Sequence, residues 1–158
     1  MKIMFTCRDN ACRSILAEAI AQKCLPERFE VASAGSEPVG ELHPYIESYL
    51  DDMGLNPDDF HSKSWDELTG FKPDIVISFG ESQHSEIDAS PNWGAGGIRV
   101  NWELYTPIES GMSKDEFEEQ YRQVSASLKR RIDKLGAFYF EKMMHDDICH
   151  ELEKLRKM

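Results

Sequence analysis

The chain has 158 residues, enough for one domain with a single hydrophobic core, and its 41% hydrophobic content excludes extended disorder. A net charge of −11, from 29 acidic against 18 basic residues, excludes nucleic acid and anionic membrane as partners held by bulk electrostatics. A small anionic ligand would need a local positive site, built from backbone N–H groups and a dedicated arginine.

The N-terminal MKIMFTC lacks the long apolar region of a signal peptide, and no stretch approaches a membrane span, so a cytoplasmic protein is expected. In that reducing setting Cys7, Cys12, Cys24 and Cys149 read as free or reactive thiols, not as a disulfide framework. Residues 2–6 (KIMFT) predict a buried strand that stops at Cys7. After the loop CRDNAC, the spacing of Ile15, Leu16, Ala19, Ile20 and Cys24 predicts a helix ended by Pro26. Residues 29–35 (FEVASAG) read as a second strand, and 43–54 (HPYIESYLDDMG) as a helix with a glycine stop. PDIVISFG at 73–80 is a β-branched run fenced by Pro73 and Gly80, hence a third strand. ESQHSEID at 81–88 reads as a short helix, and a Gly-rich connection leads into a strand at 98–102. From Ser113, with Glu116 three residues on as a capping-box signal, one long helical pattern runs to Phe140. The order implies an α/β fold: a parallel sheet covered by helices on both faces, over residues 1–142. Residues 143–158 are charged and helix-prone, an extension beyond that core.

The segment Cys7–x5–Arg13–Ser14 lies where a parallel sheet puts its ligands, at the carboxyl end of a strand entering a helix. Backbone N–H groups of Arg8, Asp9, Asn10, Ala11, Cys12 and Arg13 can curl around a tetrahedral anion, helped by the positive end of the helix dipole. Arg13 can grip two oxygens bidentately. The same field is expected to lower the pKa of Cys7, so that a thiolate nucleophile exists at neutral pH. Ser14 is placed to hydrogen-bond that thiolate, and Asn10 to hold the loop through side-chain-to-backbone bonds and an unusual backbone angle.

FTCRDNACRSILAEAIA resembles the phosphate loop of the low-molecular-weight protein tyrosine phosphatase superfamily, shared with thiol-dependent arsenate reductases, whose loop reads C-x-G-N-x-C-R-S. EVASAGSEP is similar to the second strand and its SAG turn, and PDIVISFGES to the third strand. HSKSWDEL at 61–68 and NWELYTP at 101–107 resemble the reductase branch. The resemblance covers about residues 1–140 and implies a three-layer fold with a four-stranded parallel sheet. It implies Cys7 as nucleophile, Arg13 as oxyanion clamp, and Asn10 and Ser14 as supports.

The chain departs from that pattern. Asp9 replaces the loop glycine and brings a negative charge to an anion site, which Arg8 is positioned to offset. Thr106 stands at the position of the catalytic Asp, and loss of a general acid typically costs about 10²–10⁴-fold. Glu103 or Glu109 is the candidate to substitute for that acid. The aromatic pair that phosphatases place after D-P is replaced by PIES, and FGESQHSEIDASPNW lacks the relay cysteines of thioredoxin-coupled reductases. An external thiol, glutathione with a glutaredoxin ahead of thioredoxin, is then expected as the reductant, with no bound cofactor. Cys149 is the alternative resolving thiol; Cys12 is either a reversible disulfide partner for Cys7 or a small residue filling space under the loop. His145, Cys149 and His150 share a helix end but read as solvated, so no metal is expected.

The leading expectation is a divergent arsenate reductase, monomer or dimer, whose small oxyanion is arsenate, with phosphate or sulfate as competitors and a glutaredoxin as possible partner. A phosphomonoesterase of the same fold and a non-catalytic oxyanion-binding module are the alternatives.

Overall fold

The computed structural model describes residues 1–90, 97–104, 113–156 and 158. Its elements are β1 (Lys2–Thr6), α1 (Arg13–Cys24), β2 (Glu30–Ala34), α2 (Pro44–Asp52), β3 (Ile75–Ser78), α3 (Glu81–Ala89), β4 (Ile98–Asn101), α4 (Lys114–Leu135) and α5 (His145–Lys154). Short 3₁₀ turns lie at Pro57–Asp59, Trp65–Leu68 and Phe140–Lys142. The four strands form one parallel sheet in the order β2-β1-β3-β4. β1 therefore pairs on both sides, Ile3 facing Val31 in β2 and Ile75 in β3.

The strand alternation assigns the two faces. Ile3 and Phe5 of β1 and Ile75 and Ile77 of β3 enter the larger core, which α1, α2, α4 and α5 cover. Met4 and Val76, one residue out of phase, point to the other face and meet Ile87 of α3, with Trp65, Leu68 and Phe71 packed around them. A sheet buried on both faces needs apolar residues at consecutive positions, and β3 (IVIS) is buried at all four. This is the three-layer α/β architecture expected from the sequence.

α4 begins as the sequence predicts, with the Ser113 hydroxyl accepting from the Glu116 amide (3.2 Å). It does not run to Phe140. The helix stops at Leu135, where Gly136 packs so closely on the residues just after α1 that an added Cβ would lie 3.0 Å from Leu25 Cδ2. Arg28 then donates to the Gly136 and Phe138 carbonyls (2.5 and 3.1 Å), which a continuing helix would have bonded to its own amides.

After that break the chain returns as α5, a helix separate from α4 that packs on β4. Ile148, Leu152 and Leu155 join the main core. Trp102, just past β4 and fully buried, donates its indole N–H to the Leu152 carbonyl (3.1 Å). Among the described residues no helix is long and apolar enough to cross a membrane.

Candidate active site

In the order β2-β1-β3-β4 the connections from β1 and β3 leave the sheet toward opposite neighbours. The crevice between their carboxyl ends is where open parallel sheets bind ligands. The loop Cys7–Cys12 sits there, between Thr6 and the first residue of α1, Arg13.

Its shape comes from where its carbonyls go. The Arg8 carbonyl accepts from Glu37 N (2.8 Å), the Asp9 carbonyl from Val39 N (3.2 Å) and Ser62 Oγ (3.0 Å), and the Ala11 carbonyl from His43 N (3.3 Å). A trans peptide points its N–H opposite its C=O. With these carbonyls tied to the surrounding segment, the amides of Asp9, Asn10 and Cys12 face the other way, and none bonds another group among the described residues. That row of free donors at the start of a helix is an anion receptor.

Asn10 locks the loop. It is fully buried with φ 46°, the left-handed region that Asn tolerates best after Gly. Its Nδ2 donates to Ser14 Oγ (2.7 Å) and Ser33 Oγ (3.1 Å), and its Oδ1 accepts from Lys63 N (2.9 Å). Asp9 has no such angle, so its replacement of glycine costs nothing in backbone strain. Ser33 in turn bonds the buried Glu18, whose carboxyl burial pushes up while Lys63 (4.0 Å) pulls down.

Cys7 is completely buried, its Sγ 2.9 Å from Ser14 Oγ and 3.4 Å from Asp9 Oδ1. Because Ser14 already accepts from Asn10, its own proton is free for the sulfur. Arg13 donates through Nη1 to the carbonyls of Phe79 (3.1 Å) and Leu104 (3.2 Å), which pin the guanidinium across the carboxyl ends of β3 and β4.

Two expectations are corrected here. The thiol is not depressed: desolvation by burial, then the Asp9 carboxylate, raise the Cys7 pKa above the ordinary cysteine value, outweighing Arg13 and Ser14, which lower it. Arg8 does not offset Asp9 either, since its guanidinium reaches over to α3, bonding Ser82 and standing 3.7 Å from Glu86. The opposing contributions give a titration test. Asp9→Asn should lower the thiol pKa and Ser14→Ala should raise it, read from thiolate absorbance or alkylation rate against pH. Equal midpoints in all three proteins would refute this electrostatic reading.

Cys12 is buried against Tyr121 of α4, its pKa pushed up to about 11 by burial although the Tyr121 hydroxyl bond lowers it. Cys149 lies on α5 beside His145 (3.8 Å), and no described contact joins it to the loop. Glu103 is paired with Arg156 (2.5 Å). Thr106 and Glu109 lie outside the described residues.

Sequence reasoning passed over Gly35, Ser33 and Lys63. The SAG turn was the available signal: Gly35 runs so close beneath the loop that a Cβ there would stand 2.4 Å from both the Cys7 and Arg8 carbonyl oxygens. Gly80, at φ 106°, similarly lets β3 turn sharply beside Arg13 and enter α3.

Over residues 2–146 the sequence matches the family described as low molecular weight phosphotyrosine protein phosphatase. The chain belongs to that family. Among curated proteins similar to this chain, one of Synechocystis sp. named glutaredoxin arsenate reductase is 29% identical over 139 residues, 86% of this chain and 96% of its own length. A solved arsenate reductase in the phosphate binding state superimposes with a TM-score of 0.65 at 27% identity, covering 86% of this chain and 96% of that one. The low molecular weight protein tyrosine phosphatase from T. tengcongensis gives the same TM-score at 23% identity over 90% of this chain and 99% of its own, which establishes the shared fold.

Proposed function

We propose that this protein is an arsenate reductase that works with an external thiol. The observation that carries the reading is the receptor of outward-tied carbonyls and free amides, set over Cys7 with Arg13 at its rim. A tetrahedral oxyanion held there presents its central atom to the sulfur.

On this reading Cys7 is the nucleophile, Arg13 the oxyanion clamp, and Ser14 the donor that steadies the thiolate, with Asn10 keeping the loop in shape. The amides of residues 8–13 are assigned to the anion, with that of Ala11 shared with Asp9 Oδ1. Cys7 gives its raised-pKa proton to the bound oxyanion and attacks as the thiolate: an S–As bond forms while one As–O bond breaks, and that oxygen leaves as water carrying the transferred proton. A second thiol attacks Cys7 sulfur; the S–As electron pair stays on arsenic, which departs as arsenite. Two thiols are thereby oxidised to one disulfide for the two electrons arsenic gains. Because Cys149 has no described contact with the loop, the second thiol is assigned to an external donor. Glutathione with a glutaredoxin takes first place, as the name of the Synechocystis relative suggests.

Phosphomonoester hydrolysis is the second reading, favoured by the family match itself. It requires an acid for the leaving oxygen, and the sequence places Thr106 there. Purified protein given arsenate with glutathione and glutaredoxin should form arsenite, a product that disappears in Cys7→Ser. Release of p-nitrophenol from its phosphate ester without arsenite would favour hydrolysis, and tight phosphate binding with neither product would favour a binding module. Arg13→Lys should weaken phosphate binding by about tenfold or more although the charge is kept, because an ammonium cannot reproduce the planar fork. Calorimetric titration with phosphate measures it.

A further inference from the structure

The carboxylate of Asp9 is turned into the receptor it belongs to. Its Oδ1 accepts from the Ala11 amide (3.2 Å), one of the loop's own donors, and lies 3.4 Å from Cys7 Sγ. A reactive ligand brings its central atom to about 3–3.5 Å from the sulfur, and a ligand oxygen drawn to the Ala11 amide would meet the Asp9 carboxylate already bonded there. The geometry points to Asp9 as a specificity-determining residue that admits tetrahedral oxyanions carrying a proton and rejects those that carry none. This inference rests on the oxyanion site described above and names the ligand class that site selects.

The reasoning is one of donors and acceptors. An ionised carboxylate accepts hydrogen bonds and gives none. A ligand oxygen facing it is therefore stabilised only if it is an OH, and otherwise two unshared negative oxygens meet in a half-buried site. Hydrogen arsenate and hydrogen phosphate carry such an OH at neutral pH. Sulfate does not, and a phosphomonoester, whose second pKa is near 6, has largely lost its proton there. Arg8 is turned away to Ser82 and Glu86 on α3, and Arg13, which keeps its charge, is anchored through Nη1 on the Phe79 and Leu104 carbonyls; among the described residues neither forms an ion pair with Asp9. A site with a fixed polar demand discriminates far more sharply than one relying on shape, since the wrong ligand leaves a buried group unpaired.

The test is calorimetric titration of the reduced full-length chain at pH 7 and constant ionic strength, with inorganic phosphate, sulfate and phenyl phosphate in turn. The native protein should bind phosphate about 100-fold more tightly than sulfate, with phenyl phosphate close to sulfate. Asp9→Gly should bring sulfate to within about threefold of phosphate, and the isosteric Asp9→Asn should do the same while keeping the volume of the side chain. Equal binding of phosphate and sulfate by the native protein overturns the inference. So does a preference that persists in both variants, an equal gain for all three anions, or no binding of any. Arsenate turnover measured on the same samples separates the two readings. Turnover without anion preference removes only the role of Asp9, whereas preference without turnover removes the reductase and leaves the selection.

Discussion

Gly35→Ala should abolish the site while leaving its chemistry untouched. The new methyl would sit 2.4 Å from the carbonyl oxygens of Cys7 and Arg8, both backbone atoms of the first two loop residues after β1. Neither can swing aside, because the Arg8 carbonyl is held by Glu37 N and Gly35 itself bonds across to residues 63–65. The loop must shift bodily, which turns its amides off the anion. A displacement of about 1 Å is enough to cost about 100-fold in binding or rate. The overpacking should lower stability by about 3 kcal/mol. Urea denaturation and phosphate titration measure the two effects, and a variant with native phosphate affinity would show that the SAG turn does not shape the receptor.

Asn10→Ala is expected to be the most destabilising polar substitution in the loop. Alanine at φ 46° costs about 1–2 kcal/mol, since its Cβ crowds the following carbonyl. Removing the amide also strips bonds from Ser14 Oγ, Ser33 Oγ and Lys63 N, each a polar group whose unmet need costs about 1 kcal/mol or more. The sum is about 4 kcal/mol. Asn10→Gly separates the contributions, because glycine takes the angle freely and restores only the first. In both variants Ser14 loses the donor that orients its hydroxyl, so thiol alkylation at neutral pH should slow. Were glycine as damaging as alanine, the backbone angle would carry none of the cost.

Much of this arrangement is legible in the one-dimensional pattern, because it is local. β1 and β3 are apolar runs that end abruptly at Cys7 and Phe79–Gly80, and α1 follows the loop with a helical repeat. A strand–loop–helix around Cys7, Arg13 and Ser14 needs nothing from the rest of the chain to be recognised. What escapes is set by distant pairings. The α4 stop at Leu135 depends on Gly136 meeting Leu25 and on Arg28 reaching the carbonyls after it. Arg8 looked like a neutraliser of Asp9 from its position next door, yet α3, more than seventy residues away, offers Ser82 and Glu86. The direction of the Cys7 shift is set by such distant packing as well. Loop dipoles and Arg13 can be inferred from the motif, whereas complete burial of the sulfur and the inward turn of Asp9 cannot. Gly35 is visible as a turn residue, but its contact with the Cys7 and Arg8 carbonyls appears only when β2 lies beside β1.

The seating of α5 ties the last stretch of the chain to the guanidinium of Arg13. Leu152 receives the Trp102 indole proton, Trp102 continues β4, and two residues further on Leu104 offers Arg13 one of its two anchoring carbonyls. Cutting the chain before His145 would therefore do more than uncover an edge of the sheet. The indole would lose its acceptor, the exit of β4 would slacken, and a clamp formed more than a hundred residues earlier would loosen, so a carboxy-terminal truncation should present itself as a weakened oxyanion site.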